Sequence, residues 1–98
     1  MKKFRLTAEA AGDITEIFDY IAEDSIDTAQ RVRAEIYDEM KKLARNPGLG
    51  HKRQDLTSRG LLFWAVYSYL IIYQPEKPVN IIAVLHGSRD VKKLLKTR

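Results

Sequence analysis

Seven residues near the end of the chain, VLHGSRD at positions 84–90, combine side chains that acid/base and phosphate chemistry use. The imidazole of His86 can exchange a proton near neutral pH. The guanidinium of Arg89, three residues later, can bind a phosphate or a carboxylate through two hydrogen bonds. Such a pair at the end of an apolar strand could form a catalytic site, with His86 as the acid/base group and Arg89 as the phosphate-binding residue.

The same heptapeptide is also typical of a strand end, a tight turn and a helix cap. Gly87 would supply a backbone angle that other residues resist, and Ser88 would cap a terminal helix with Asp90 near its positive end. We favour this structural interpretation for His86, whose ring would then hydrogen-bond to the backbone. Two roles stay open for Arg89: binding an anionic group of a partner, or an ion pair with Asp90 or with an acidic residue of a helix.

A second set of candidate binding residues lies in the glycine-rich basic segment at positions 46–60, NPGLGHKRQDLTSRG. His51, Lys52 and Arg53 are consecutive there, and binding residues are disproportionately found in loops. The glycines do not follow a phosphate-loop pattern. Two histidines far apart in a chain without cysteine do not predict a metal site, and we expect no cofactor.

The spacing of the apolar residues predicts the elements that position these side chains. Apolar residues recur at helical spacing in the first part of the chain, and extended apolar runs follow the loop at 46–60. Thr7 is expected to cap the first helix, and a capping box of Asp27 and Gln30 is expected to open the second. The first helix carries an apolar stripe of Ala11, Ile14, Ile17, Phe18 and Ile21, with Asp13 assigned to its solvated faces. The predicted elements are an edge strand at 2–6, helices at 8–24 and 27–45, strands at 61–66, 69–74 and 79–86, and a short helix at 89–96.

This order, β-α-α-β-β-β with an optional last helix, predicts one α+β domain over residues 1–98, with a helix hairpin packed on a small antiparallel sheet. The aromatic side chains of the strands alternate between the two faces of that sheet. Those under the helices belong to the core, and any on the other face would form an exposed docking patch. The sequence does not decide which face is which.

Charge is distributed unevenly along the chain. Residues 1–40 hold five Lys and Arg against ten Asp and Glu, a net charge of −5, and residues 41–98 hold twelve against three, a net charge of +9. A basic second half indicates an acidic partner, or else only a solvated face. The absence of cysteine is compatible with the reducing cytoplasm, and we expect neither a signal peptide nor a membrane span.

Four stretches resemble, in order and spacing, the ParE/RelE superfamily of bacterial toxins from type II toxin–antitoxin pairs, and ParE more than RelE. They are TAEAAGDITEIFDYIAEDS at 7–25, NPGLGHKRQDL at 46–56, SYLIIYQ at 68–74 and VLHGSRD at 84–90. The resemblance implies the RelE/ParE-like fold. ParE-type toxins inhibit DNA gyrase and are neutralised by a cognate antitoxin, usually of the ParD kind, whereas RelE-type toxins cut mRNA on the ribosome.

The residues at the RelE-like catalytic positions favour a toxin that is not an enzyme. RelE-like toxins often carry an arginine where this chain has Leu70, and its last ten residues, RDVKKLLKTR, contain no tyrosine or histidine. An endoribonuclease, the alternative, would depend on His86, Arg89 and Arg53 alone. A relative that only binds an antitoxin is a third possibility.

The resemblance and the residues together assign two binding surfaces. We expect gyrase to be contacted by basic residues of the loop and the C-terminal stretch: His51, Lys52, Arg53, Arg89, Lys92 and Lys93. We expect a small, acidic, ParD-like antitoxin to be contacted by strand aromatics: Phe63, Trp64, Tyr67 and Tyr73. No direct binding to DNA is expected without the antitoxin.

Overall fold

The observed helices and strands follow the predicted order. The computed structural model describes residues 4–98, so Lys2 and Lys3 of the predicted first strand lie outside the described residues. The strands are β1 (Phe4–Leu6), β2 (Leu62–Val66), β3 (Tyr69–Gln74) and β4 (Val79–His86). The helices are α1 (Ala8–Ala22), α2 (Ile26–Arg45) and α3 (Val91–Leu95), with a 3₁₀ turn at Pro47–Leu49. The predicted α+β architecture, a helix hairpin on a four-stranded sheet, is confirmed.

The strands form one sheet in the order β1-β4-β3-β2. The pairs β2–β3 and β3–β4 are antiparallel, as short turns between consecutive strands require. The pair β1–β4 is parallel, so the sheet is mixed and not wholly antiparallel as predicted. No hairpin constrains this pair, because the whole of α1, α2, β2 and β3 lies between the two strands in sequence.

The two faces of the sheet are covered by different parts of the chain. The face under α1 and α2 carries Trp64, Tyr69 and Tyr73, together with Ile71 and Val84. The opposite face carries Phe63, Leu70 and Leu85 and packs against Val91 and Leu95 of α3. Seven of the eight residues of β4 are buried or half-buried, which explains its continuous apolar sequence. The sheet face that lies away from α1 and α2, which the sequence could not assign, is therefore covered by the terminal helix.

The helix caps agree with the sequence at one helix and differ at two. Thr7 caps α1 as predicted, its hydroxyl accepting from the Ala10 N–H at 3.0 Å. Ser25 and not Asp27 caps α2, accepting from the Thr28 N–H at 3.1 Å, so α2 begins one residue before the predicted box. Asp90 and not Ser88 caps α3, through the Lys93 N–H at 3.2 Å. Ser88 is occupied elsewhere, as described below.

The start of the basic loop is fixed to the core by Tyr73. This side chain is fully buried, and its hydroxyl accepts from the Gly50 N–H at 2.8 Å and donates to the Pro47 carbonyl at 2.7 Å. A Cβ at position 50 would lie only 2.6 Å from that hydroxyl oxygen and 2.9 Å from Leu62 Cβ. Gly50 is therefore required by close approach, and the loop leaves α2 in a defined direction.

Replacing Tyr73 with Phe should lower the free energy of unfolding by about 2 kcal/mol, because the Gly50 N–H and the Pro47 carbonyl lose their shared partner. Tyr69→Phe is the matched control, since no hydrogen bond of the Tyr69 hydroxyl is found within residues 4–98. It should cost less than about 0.5 kcal/mol. Urea unfolding followed by circular dichroism measures both, and equal losses would contradict the proposed role of the hydroxyl.

Candidate binding surfaces

His86 ends β4 in the manner of a strand-end residue. Its Nδ1 accepts a hydrogen bond from the Ser88 N–H at 3.0 Å and lies 2.7 Å from the Ser88 hydroxyl. The edge of its ring contacts Tyr69, with 5.4 Å between the ring centroids. The hydrogen bond to the backbone is the one that the structural interpretation of VLHGSRD predicts. It also explains why Ser88 does not cap α3.

The three residues required by the endoribonuclease alternative are not brought together. His86 and Arg89 lie beside α1, on the helix side of the sheet, whereas Arg53 lies in the loop next to α3. No hydrogen bond or ion pair joins Arg53 to either of the other two within the described residues. Leu70, at the position where RelE-like toxins often have arginine, packs in the apolar cluster under α3. The sheet face at that position is therefore filled by apolar side chains.

Several of the predicted target-binding residues lie close to α3. The Arg53 guanidinium donates to both oxygens of Asp55, at 3.0 and 2.8 Å. These hydrogen bonds, together with a smaller contribution from Lys92 of α3, lower the pKa of Asp55 below its usual value. Arg59 Nη1 donates to the Leu95 carbonyl at 3.2 Å, at the end of α3. We name this region the basic α3–loop surface: Lys52, Arg53, Arg59, Lys92, Lys93 and Lys96, all exposed.

His51 is held apart from that surface. Its backbone exchanges hydrogen bonds with Phe63, at 2.9 and 2.8 Å, along the outer edge of β2. Its ring stacks on Trp64, with 6.2 Å between the ring centroids and 24° between the planes. Because Trp64 faces the α2 side of the sheet, His51 contributes to the α2 side and not to the basic α3–loop surface.

The predicted aromatic patch contains only two accessible members. Phe63 is 3% exposed and Tyr73 is fully buried, so neither can contribute to a docking surface in this conformation. Trp64 is half-buried, and its Nε1 donates to Glu39 at 2.8 Å. Tyr67 is 59% exposed, and its hydroxyl donates to Glu35. Both accessible aromatics thus lie along α2, each tied to a carboxylate of that helix.

A groove of about 580 Å³ runs between α1 and the end of the sheet, and the sequence did not predict it. Arg89 lines this groove, and no hydrogen bond or ion pair of its side chain is found within residues 4–98. The ion pair with Asp90 that we considered is absent there, because Asp90 caps α3 instead. The lining residues are Asp13, Glu16, Ile17, Tyr20, Tyr69, Val84, His86, Ser88 and Arg89.

Asp13 also lines the groove and is the one buried charged residue among residues 4–98, 7% exposed. Its carboxylate accepts from Arg98 Nη1 at 2.6 Å, from Arg98 Nη2 at 2.9 Å and from the Val84 N–H at 3.0 Å. The hydrogen bonds to Asp13 raise the pKa of Arg98 above its ordinary value. Arg98 Nη1 also donates to the Ile82 carbonyl at 3.2 Å.

The sequence analysis placed Asp13 on a solvated face of α1, and this was wrong. The buried positions of α1 are Ala10, Asp13 and Ile14, so the stripe contains Ala10 in place of the exposed Ala11. The signal was available in the spacing, because Asp13 follows Ala10 by three residues and precedes Ile17 by four. A carboxylate within an apolar stripe requires a buried partner, and Arg98 supplies it.

Comparison with known proteins was informative at the level of sequence and of fold. Residues 4–91 match the family described as ParE toxin of type II toxin-antitoxin system, parDE. The chain belongs to the ParE toxin family. A curated protein of Sinorhizobium fredii (strain NBRC 101917 / NGR234), "Putative toxin Y4kP", is 32% identical over 94 residues, 96% of this chain and 97% of that protein.

A solved structure described as a chromosomal ParDE TA system from P. aeruginosa has the same fold as this ParE-family chain. The TM-score is 0.70 at 17% identity, over 85% of this chain and 92% of the other. The family match confirms the predicted type II toxin of the ParE kind, and the solved structure confirms its fold. The family supports action by binding rather than catalysis. No helix within residues 4–98 is long and apolar enough to cross a membrane, and no three His, Asp or Glu side chains of that range converge as metal ligands would.

Replacing Arg98 with Gln should destabilise this ParE-family protein by about 3 kcal/mol, because the buried Asp13 carboxylate would lose its cationic partner. Lys96→Gln removes the same charge from an exposed side chain and should cost less than about 0.5 kcal/mol. Asp13→Asn combined with Arg98→Gln should recover part of the loss. Thermal and urea unfolding measure these effects, and a double variant no more stable than Arg98→Gln would contradict the role of an uncompensated charge.

Proposed function

We propose that this toxin inhibits DNA gyrase by binding it, and that a cognate antitoxin of the ParD kind neutralises the toxin. Membership of the ParE family supports the target, and the basic α3–loop surface supports the mode of action. That surface presents exposed cations of Lys92 and Lys93 beside the loop, where they can contact acidic groups of a target. The separation of His86 from Arg53 supports binding over RNA cleavage.

The antitoxin is proposed to be a small acidic protein. Trp64 and Tyr67 are the accessible members of the predicted contact set and lie along α2, away from α3. An antitoxin bound there would block target binding at the basic α3–loop surface either sterically or by changing its conformation. The site of action is proposed to be the cytoplasm, where gyrase works, and the toxin alone is not expected to bind DNA.

Reversing two charges of α3, Lys92→Glu with Lys93→Glu, should weaken inhibition of purified gyrase at least about tenfold, because favourable contacts become repulsive. The matched control is Arg31→Glu with Lys41→Glu on α2, which changes the net charge equally at exposed positions. Supercoiling assays with titrated toxin measure the effect. An equal loss in both variants would indicate general electrostatics only. Normal supercoiling at saturating wild-type toxin, without cleavage complexes, would contradict the proposed target.

Arg89→Ala should leave the melting temperature unchanged and abolish growth arrest if the guanidinium contacts the target. This expectation is supported by the Arg89 side chain, for which no hydrogen bond or ion pair is found within residues 4–98, whereas the backbone hydrogen bonds of Arg89 to His86 and Val91 are kept in the alanine variant. Expression in cells without antitoxin, with thermal unfolding of the purified variant, separates the two effects. Mapping of mRNA ends in the same cultures tests the endoribonuclease alternative, which predicts new cleavage ends that Arg89→Ala removes.

A further inference from the structure

The groove along α1 borders a part of the sheet edge that no strand of residues 4–98 covers. β1 pairs with β4 only at Val79–Ile81, so β4 continues for five residues beyond its neighbour. α1 lies along this extension, and its Asp13 side chain satisfies the Val84 N–H. Asp13, Tyr20 and Arg89 all line the groove, and the Tyr20 side chain is 74% exposed. A large exposed aromatic residue that lines a groove is typical of a docking surface.

One carboxylate that lines the groove, Asp13, already binds a guanidinium group. Arg98 donates to both Asp13 oxygens and to the Ile82 carbonyl. Glu9 and Glu16 lie close enough to contribute, after Asp13, to the raised pKa of Arg98. These carboxylates are spaced four and three residues apart, on one side of α1. The described part of this helix face therefore carries three negative charges for one guanidinium.

Besides Asp13, Glu16 is the carboxylate of this group that lines the groove. Glu16 is exposed, and no hydrogen bond or ion pair of its side chain is found within residues 4–98. Tyr20 and Tyr69 line the same groove, and they are near enough for Tyr20 to affect the pKa of Tyr69, which burial and this neighbour raise. A carboxylate that shares a groove with aromatic rings suits a cation, through a charge-assisted hydrogen bond and through the ring faces.

We propose that the groove binds a basic side chain of a partner protein segment, with the cation at Glu16 beside Tyr20 and Tyr69. Arginine is favoured over lysine, because its planar guanidinium can pair with the carboxylate and stack on a ring at once. Assigning that segment to the antitoxin rests on the proposed function.

The groove itself is tested with N-acetyl-arginine amide as the probe, and N-acetyl-citrulline amide as its neutral analogue. Nuclear magnetic resonance titration of the full chain should show shifts of Glu16, Tyr20 and Tyr69 with the arginine compound and none of comparable size with citrulline. Glu16→Gln should weaken binding about tenfold, the loss expected for a desolvated cation that loses its carboxylate and keeps its ring contacts. Asp19→Asn, at an exposed acid of α1 that does not line the groove, should change it less than about twofold.

Equal shifts with both compounds, shifts centred away from the groove, or equal losses in Glu16→Gln and Asp19→Asn would each overturn the proposal. Inorganic phosphate is titrated separately. Shifts centred on Arg89 with phosphate and no response of Glu16 to arginine would indicate a nucleic-acid backbone instead, and would overturn it too.

A second experiment separates this proposal from the proposed function. The antitoxin concentration that restores half of gyrase supercoiling is measured for wild type and Glu16→Arg, each relative to its own inhibition. Glu16→Arg should require about tenfold more antitoxin, as like charges then meet in the groove. If wild type inhibits gyrase and both forms are neutralised equally, the groove assignment to the antitoxin fails and the proposed function stands. If wild type does not inhibit gyrase, the proposed function fails and the arginine titration still decides the groove.

Discussion

The length of β4 relative to β1 is the constraint on which the arrangement of this molecule depends. β4 has eight residues, and β1 covers three of them, so the backbone groups of the remainder that face the β1 edge, and not β3, need other partners. The Asp13 carboxylate provides one for the Val84 N–H, and Arg98 and Thr7 provide others for the Ile82 carbonyl. Residues of α1, its cap and Arg98 thus take the place of a neighbouring strand along this part of the sheet edge.

This arrangement links the two sides of the sheet. α3 packs on the face that carries Phe63 and Leu70, yet Arg98, three residues after α3, binds Asp13 of α1 on the sheet edge. The Asp13 carboxylate belongs both to this ion pair and to the lining of the groove. A ligand that displaces the Asp13 carboxylate would thus also affect α3, because the Arg98 side chain joins the two. The groove and the basic α3–loop surface are physically connected although they lie on different sides.

The sequence predicted the elements well because period and turn residues are local. Strands β3 and β4 have the predicted bounds, since each is a continuous apolar run between turn residues. The caps of α2 and α3 were wrong, because Ser25, Asp27, Ser88 and Asp90 are all chemically suitable caps and packing decides among them. Asp13, Arg98 and the groove were missed for a different reason. Their contacts join residues 71 to 85 positions apart in sequence, and no local pattern contains them.

The side-chain parity of the sheet bears most directly on function. A residue at position 70 lies on the α3 face, whereas His86 contacts Tyr69 on the α1 face, so an arginine at 70 and His86 would still be separated by the sheet. A catalytic constellation needs its groups within hydrogen-bond reach of one reacting atom. Recovering cleavage would therefore take more than replacing Leu70, because α3 would also have to leave the face that it covers. Binding makes no such demand, since separate exposed surfaces can contact separate partners. The same distribution of residues that rules out a shared active centre allows one surface for a target and another for a neutralising protein.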